Sequence, residues 1–157
     1  MASLQMHLFQ NKNRIPPARL QGWNYGFPGL YFITICTKDR IHYFGTIRNG
    51  LMCLNDLGQT VYEEWMKAPV IRPDMNVELD SFVVMPNHFH GILIIGENEF
   101  NTRSATTPDI ANKFGPQIKN LSSILRGFKS AVTSHAINTR QQFDWQERFH
   151  DHIIRSH

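Results

Sequence analysis

Only two cysteines, Cys36 and Cys53, occur in the 157 residues. Two thiols cannot build a disulfide framework, and they lack metal-ligand spacing. Both fall in otherwise apolar stretches, so they are expected to be reduced, small, core-like residues. Also lacking is any apolar run approaching the roughly 18 residues that a membrane-spanning helix requires. The N-terminal stretch MASLQMHLFQNKNRIPPARL is too interrupted by polar groups to serve as a secretion signal. The expectation is a cytoplasmic protein with no membrane partner.

Carboxylates are missing from two long stretches. None precedes Asp39, whereas Lys12, Arg14, Arg19 and Lys38 do. None lies between Ile110 and Phe143, a span that holds Lys113, Lys119, Arg126, Lys129 and Arg140. The net charge is only +3, so it is the segregation that carries information. Cations without nearby carboxylates can neutralise phosphates and release counterions, while an ordinary solvated face explains the same pattern without a partner.

The length suits one domain able to bury a core without disulfides or a structural metal. Residues 1–29 read as a basic N-terminal segment and 30–157 as the folded domain. Leu30 to Thr37 (LYFITICT) is rich in β-branched and aromatic residues and follows the turn signal Phe27-Pro28-Gly29, which predicts a strand. Asn49-Gly50 predicts a hairpin between Gly45 and Asn55. From Asn55, a good N-cap, Leu57, Val61, Trp65 and Ala68 recur at helical spacing until Pro69 ends the pattern. VELDSFVVMP and HFHGILII read as two further strands joined tightly at Pro86-Asn87, the second apolar enough to be central.

Glu97 to Gln117 has no apolar period and reads as a mobile loop or linker. Leu121, Ile124, Leu125, Phe128, Val132 and Ala136 then mark one face of a second helix, and FDWQERFHDHIIR completes the order with a strand. Strand, helix, strand, strand, helix, strand is the split βαβ, ferredoxin-like α+β arrangement: an antiparallel sheet with helices on one face.

That arrangement gives meaning to VVMPNHFHGILII, Val83 to Ile95. Side chains alternate across a strand, so His88 and His90 share one face and Phe89 takes the other. Two imidazoles on a free sheet face form a candidate metal clamp, although two ligands are not a full site and chance produces His-x-His often. Glu78 and Asp80, just upstream, are candidates to complete the shell, with an ordinary strand role as the alternative.

This stretch resembles the histidine–hydrophobic–histidine motif of the HUH single-strand DNA transposases with one catalytic tyrosine, the insertion-sequence-200-like and REP-associated tyrosine transposases. YFITICTKDRIHYFG is similar to the family's first strand and following turn, LNDLGQTVYEEW to its first helix, LSSILRGFKSAVT to its second and WQERFHDHIIR to its last strand. The resemblance covers roughly residues 14 to 155. It implies that His88 and His90 bind a divalent ion, Mg or Mn, which polarises the scissile phosphate. It further implies attack by a tyrosine to give a 5′-phosphotyrosine intermediate, on hairpin-forming single-stranded DNA such as a repetitive extragenic palindrome, by a monomer or homodimer.

One part of the family pattern is not found. Its tyrosine lies on a helix after the last strand, in a Tyr-Ile-x-x-Asn or Tyr-Ile-x-x-Gln motif whose amide gives a third metal ligand. Here Tyr25, Tyr31, Tyr43 and Tyr62 all precede the histidine pair. The catalytic residue is therefore expected C-terminal to His157, in a truncated chain. A domesticated binder that no longer cuts and a replacement nucleophile are the alternatives.

In this reading Arg14, Arg19, Trp23 and Tyr25 are candidates to grip a hairpin stem or flanking base, and Arg126 and Lys129 to track the backbone. Packing explains Trp23 equally well, and a solvated helix face explains the two cations. His150 and His152 are candidate second-shell or DNA contacts, against a polar edge-strand pattern. Outside the transposase reading stand a DNA-binding module without chemistry and a histidine-based nucleotide hydrolase or transferase. The latter wants a third histidine where Ile92 stands.

Overall fold

Two asparagines start the two long helices. In the computed structural model, which describes residues 22–102 and 118–154 together with the strand segments Leu8–Phe9 (β1) and Lys12–Asn13 (β2), the Asn55 side chain accepts from Gly58 N at 2.8 Å and opens α1, Asp56–Met66. Asn120 accepts from Ser123 N at 3.0 Å while Ser123 Oγ accepts from Asn120 N at 3.1 Å, a reciprocal box that opens α4, Leu121–Asn138. Each cap satisfies a helix N–H that has no intrahelical partner and contributes about 1 kcal/mol.

The main strands are β3 (Gly29–Thr37), β6 (Val77–Met85), β7 (His88–Ile95) and β8 (Trp145–Ile154), in the order β6-β7-β3-β8 with every neighbouring pair antiparallel. This is the expected α+β architecture, and β7 is an inner strand. A hairpin of β4 (Gly45–Arg48) and β5 (Leu51–Leu54) turns at Asn49 and Gly50, both at positive φ as a tight two-residue hairpin turn requires. β1 and β2 pair with each other. Among the described residues no helix is long and apolar enough to cross a membrane.

The helices lie on one sheet face. Tyr31, Ile33 and Ile35 of β3 and Phe89, Leu93 and Ile95 of β7 are buried beneath Leu57, Val61 and Trp65 of α1 and Leu121, Leu125, Phe128 and Val132 of α4. These are the apolar positions that the helical and alternating periods pick out.

Four sequence readings change. Pro69 does not end the helix pattern: α1 stops at Met66, and Pro69 sits in the first turn of a new short helix, α2 (Ala68–Ile71), where its missing N–H costs nothing. The stretch after Glu97 contains one short helix, α3 (Glu99–Thr102), held where Asn101 Nδ2 donates to the Gly26 and Gly96 carbonyls; 103–117 lie outside the described residues. Cys36 is buried, but Cys53 is exposed on the hairpin, where alternation turns it to solvent. Tyr25, read as an available aromatic, is buried, with Leu121 N donating to its carbonyl at 3.0 Å; Trp23 takes the packing alternative already open to it, its Nε1 donating to the Tyr31 hydroxyl at 3.1 Å.

Candidate functional site: a histidine pair on the open sheet face

The turn that carries the histidines is stitched to two other segments. Thr37 N and Thr37 Oγ1 both donate to the Asn87 carbonyl at 3.0 Å, and Phe44 N donates to the Pro86 carbonyl at 3.0 Å. Thr37 itself is fully buried, so this anchor is shielded from water. Beyond it β7 begins, with His88 and His90 on the face away from the helices and Phe89 buried between them on the helix side. The ring centroids of His88 and His90 are 4.7 Å apart and their planes meet at 74°.

Each imidazole has its Nδ1 engaged. Asn87 Nδ2 donates to the Arg40 carbonyl at 3.2 Å, which fixes the amide with its oxygen toward His88. That oxygen lies 2.7 Å from His88 Nδ1 and can only accept, so His88 carries its proton on Nδ1 and keeps a lone pair on Nε2. His90 Nδ1 lies 2.8 Å from Thr34 Oγ1, and its ring stacks on Phe32 with centroids 5.5 Å apart. Burial first, then His90, then Arg40 lower the His88 pKa, which keeps the imidazole neutral, the form that binds a metal. Nitrogen-15 NMR of the metal-free protein is expected to find His88 protonated at Nδ1, and Asn87→Ala is expected to shift the proton toward Nε2. A wild-type His88 protonated at Nε2 would contradict this network.

The other sequence candidates fall in different places. Pairing sets Thr34 between His90 and His150, and Phe32 opposite His152, so all four histidines share the open face. With strands about 4.8 Å apart, His150 is about 10 Å from His90 and does not touch the pair. Glu78 pairs with Ile94, four residues beyond His90 and so about 13 Å along the strand. Asp80 sits where the register slips between Leu79 and Phe82, its carboxylate accepting from Ser81 N at 2.8 Å. Neither completes a metal shell, and no group of three or more potential His, Cys, Asp or Glu ligands forms among the described residues.

Tyr25 is buried with its ring against Tyr31, so it presents no face to a partner, while Trp23 is half-buried. Arg14 and Arg19 lie outside the described residues. Arg126 and Lys129 line a cavity of about 550 Å³ between α4 and β8, on the helix side of the sheet and away from the histidines. Lys129 Nζ donates to the Gln146 carbonyl at 3.1 Å, and burial lowers its pKa. Sequence reasoning missed Thr34 and Phe32, whose roles depend on strand register, and saw Asn87 only as a turn residue.

A protein of Haemophilus influenzae (strain ATCC 51907 / DSM 11121 / KW20 / Rd), itself uncharacterized, is 40% identical over 145 residues, covering 87% of this chain and 77% of the relative. The chain belongs to the same family as that protein. No family model matches it.

Among solved structures, a REP-associated tyrosine transposase bound to a REP hairpin is similar with a TM-score of 0.54 at 21% identity, covering 86% of this chain and 61% of that one. The chain spans about three fifths of that structure's length, and the likeness is one of fold. A transposase candidate from Deinococcus radiodurans R1 aligns with a TM-score of 0.48 at 15% identity, over 88% of this chain and 87% of that one.

Proposed function

We propose that this chain is a transposase-type protein that binds hairpin-forming single-stranded DNA and holds a divalent metal, Mn or Mg, on His88 and His90. One observation carries the reading: two adjacent imidazoles on the open face of an inner strand, with His88 Nδ1 held by the Asn87 amide oxygen so that its Nε2 keeps a lone pair, and His90 Nδ1 held at the Thr34 hydroxyl. The donor set fits a metal with open positions. Imidazole suits Mn²⁺ better than Mg²⁺, and the unfilled positions suit water or phosphate oxygens. When bound, the ion would supply Lewis-acid polarisation of a phosphate oxygen.

Asn87 and Thr34 orient the rings, as hydrogen-bond partners of metal-binding histidines do, and their loss is expected to weaken metal binding roughly 10- to 100-fold. Trp65 and Phe89 back the strand, with ring centroids 4.7 Å apart. The fold shared with the hairpin-bound structure supports a DNA partner.

The second reading, binding without strand cleavage by this sequence alone, has its own observation. Tyr25 and Tyr31 are buried in the core, Tyr43 packs edge-on against Phe143 and Tyr62 against Phe82. Tyr31 lies on the helix face of the sheet, as does Phe82, the ring that Tyr62 packs against, so neither of these tyrosines shares the open face with the histidines. Burial also raises the Tyr31 pKa, which disfavours a phenolate.

The test is incubation with hairpin-tailed single-stranded DNA and Mn²⁺. Hairpin binding that weakens when His88→Ala and His90→Ala are combined, with no covalent protein–DNA adduct, is the expected result. An abundant adduct from this sequence would refute the placement of the tyrosines. Absence of hairpin binding would refute the proposal.

A further inference from the structure

The open sheet face offers more than the histidine pair. No carboxylate occurs on β3 or β7, and alternation places Arg148, His150, His152 and Ile154 of β8 on the open side, while Glu147 and Phe149 line the cavity on the other. At the centre Phe32 is 37% exposed, its ring stacked at 19° on His90 and its backbone paired between Ile92 and His152.

A flat aromatic ring held rigid by a second ring is an efficient stacking surface, because little side-chain freedom remains to be lost on binding. An arginine and imidazole N–H donors with no carboxylate on the neighbouring strands β3 and β7 match phosphate oxygens. Duplex DNA hides its base faces, whereas a single strand exposes them.

We propose that Phe32 is a base-stacking platform for single-stranded DNA and that Arg148, His150 and His152 form a phosphate-contacting row beside it. This deepens the proposed function and rests on it for the class of partner. The unpaired strand crosses the central β3, with a base on Phe32 and its backbone over β8, which brings it beside the histidine pair.

Binding is measured in EDTA, so that metal binding plays no part, with short oligodeoxythymidine, an abasic strand of equal length and duplex DNA. Phe32→Leu keeps apolar bulk and removes the π surface. It is expected to weaken oligodeoxythymidine binding by on the order of ten-fold and to leave abasic binding unchanged, while Phe32→Trp restores affinity. Arg148→Ser is expected to make the slope of log affinity against log salt shallower by about 0.7, one phosphate contact fewer.

Equal affinity of Phe32→Leu and wild type for oligodeoxythymidine would overturn the platform, as would equal losses on both single strands or tighter binding of duplex. An unchanged salt slope would overturn the phosphate row. No oligonucleotide binding at all would overturn both and leave the face to a protein partner. Failure of manganese binding with the oligonucleotide results intact would refute the metal site alone.

Discussion

Replacing Trp65 with alanine is expected to destabilise the domain by about 3–5 kcal/mol, a fall in melting temperature of roughly 6–20 °C. Trp65 is fully buried, and its indole lies 4.7 Å from the Phe89 ring and 5.2 Å from the Phe128 ring, centroid to centroid. Phe89 is the residue between the two histidines, so the cavity would open directly behind the strand that carries them. Gly91, two residues on, lets the indole approach: a Cβ there would lie 2.9 Å from the Phe89 ring and 3.0 Å from Trp65.

The indole N–H of Trp65 meets no acceptor among the described residues, so Trp65→Phe removes an orphan donor along with some volume. Its cost is expected to be well below that of alanine. Thermal unfolding of the two variants checks the pair. Equal losses would contradict the view that aromatic packing, rather than the indole itself, holds β7 against α1.

Gly58→Ala is expected to destabilise the protein by at least about 2 kcal/mol, even though alanine is the better helix former by about 1 kcal/mol. Gly58 lies in the first turn of α1, and a Cβ there would come within 2.1 Å of the Phe44 carbonyl oxygen. Both sides of that contact are fixed. Phe44 is fully buried, and its carbonyl accepts from Asn55 N at 3.0 Å, while the Asn55 side chain caps the helix through Gly58 N. Relief therefore requires α1 to move away from the chain before β4, which breaks the cap. Urea unfolding distinguishes the two effects, since a stabilised variant would mean that helix propensity decides at this position.

The features that were legible in the sequence are those set by local period and capping. Asn55, the stripe Leu57, Val61 and Trp65, and the stripe from Leu121 to Ala136 gave the helices and their buried faces. Alternation gave the two histidines one face. What was not legible depends on chains meeting in space. The register of β3 against β7 puts Thr34 beside His90 and Phe32 against its ring, and nothing in either strand alone specifies that offset.

The bulge between Leu79 and Phe82 likewise diverts Asp80 into a local turn contact, which a strand pattern cannot foretell. Tyr25 read as an available aromatic because its segment carries turn and basic residues. Its burial comes from α4, whose first backbone N–H takes the Tyr25 carbonyl. Asn87 was visible as a turn residue, and its second task of orienting His88 needed the Arg40 carbonyl from a segment 47 residues away.

The proposed metal site requires that His88 and His90 present their Nε2 lone pairs together to one divalent ion. Titration of the nitrogen-15-labelled protein with Mn²⁺ tests it most directly, because a bound paramagnetic ion broadens the imidazole signals nearest to it. Broadening of the His88 and His90 Nε2 resonances in step, ahead of those of His150 and His152 and abolished in either His88→Ala or His90→Ala, is the predicted result. Broadening of only one of the pair, or of neither while other sites respond, would contradict it.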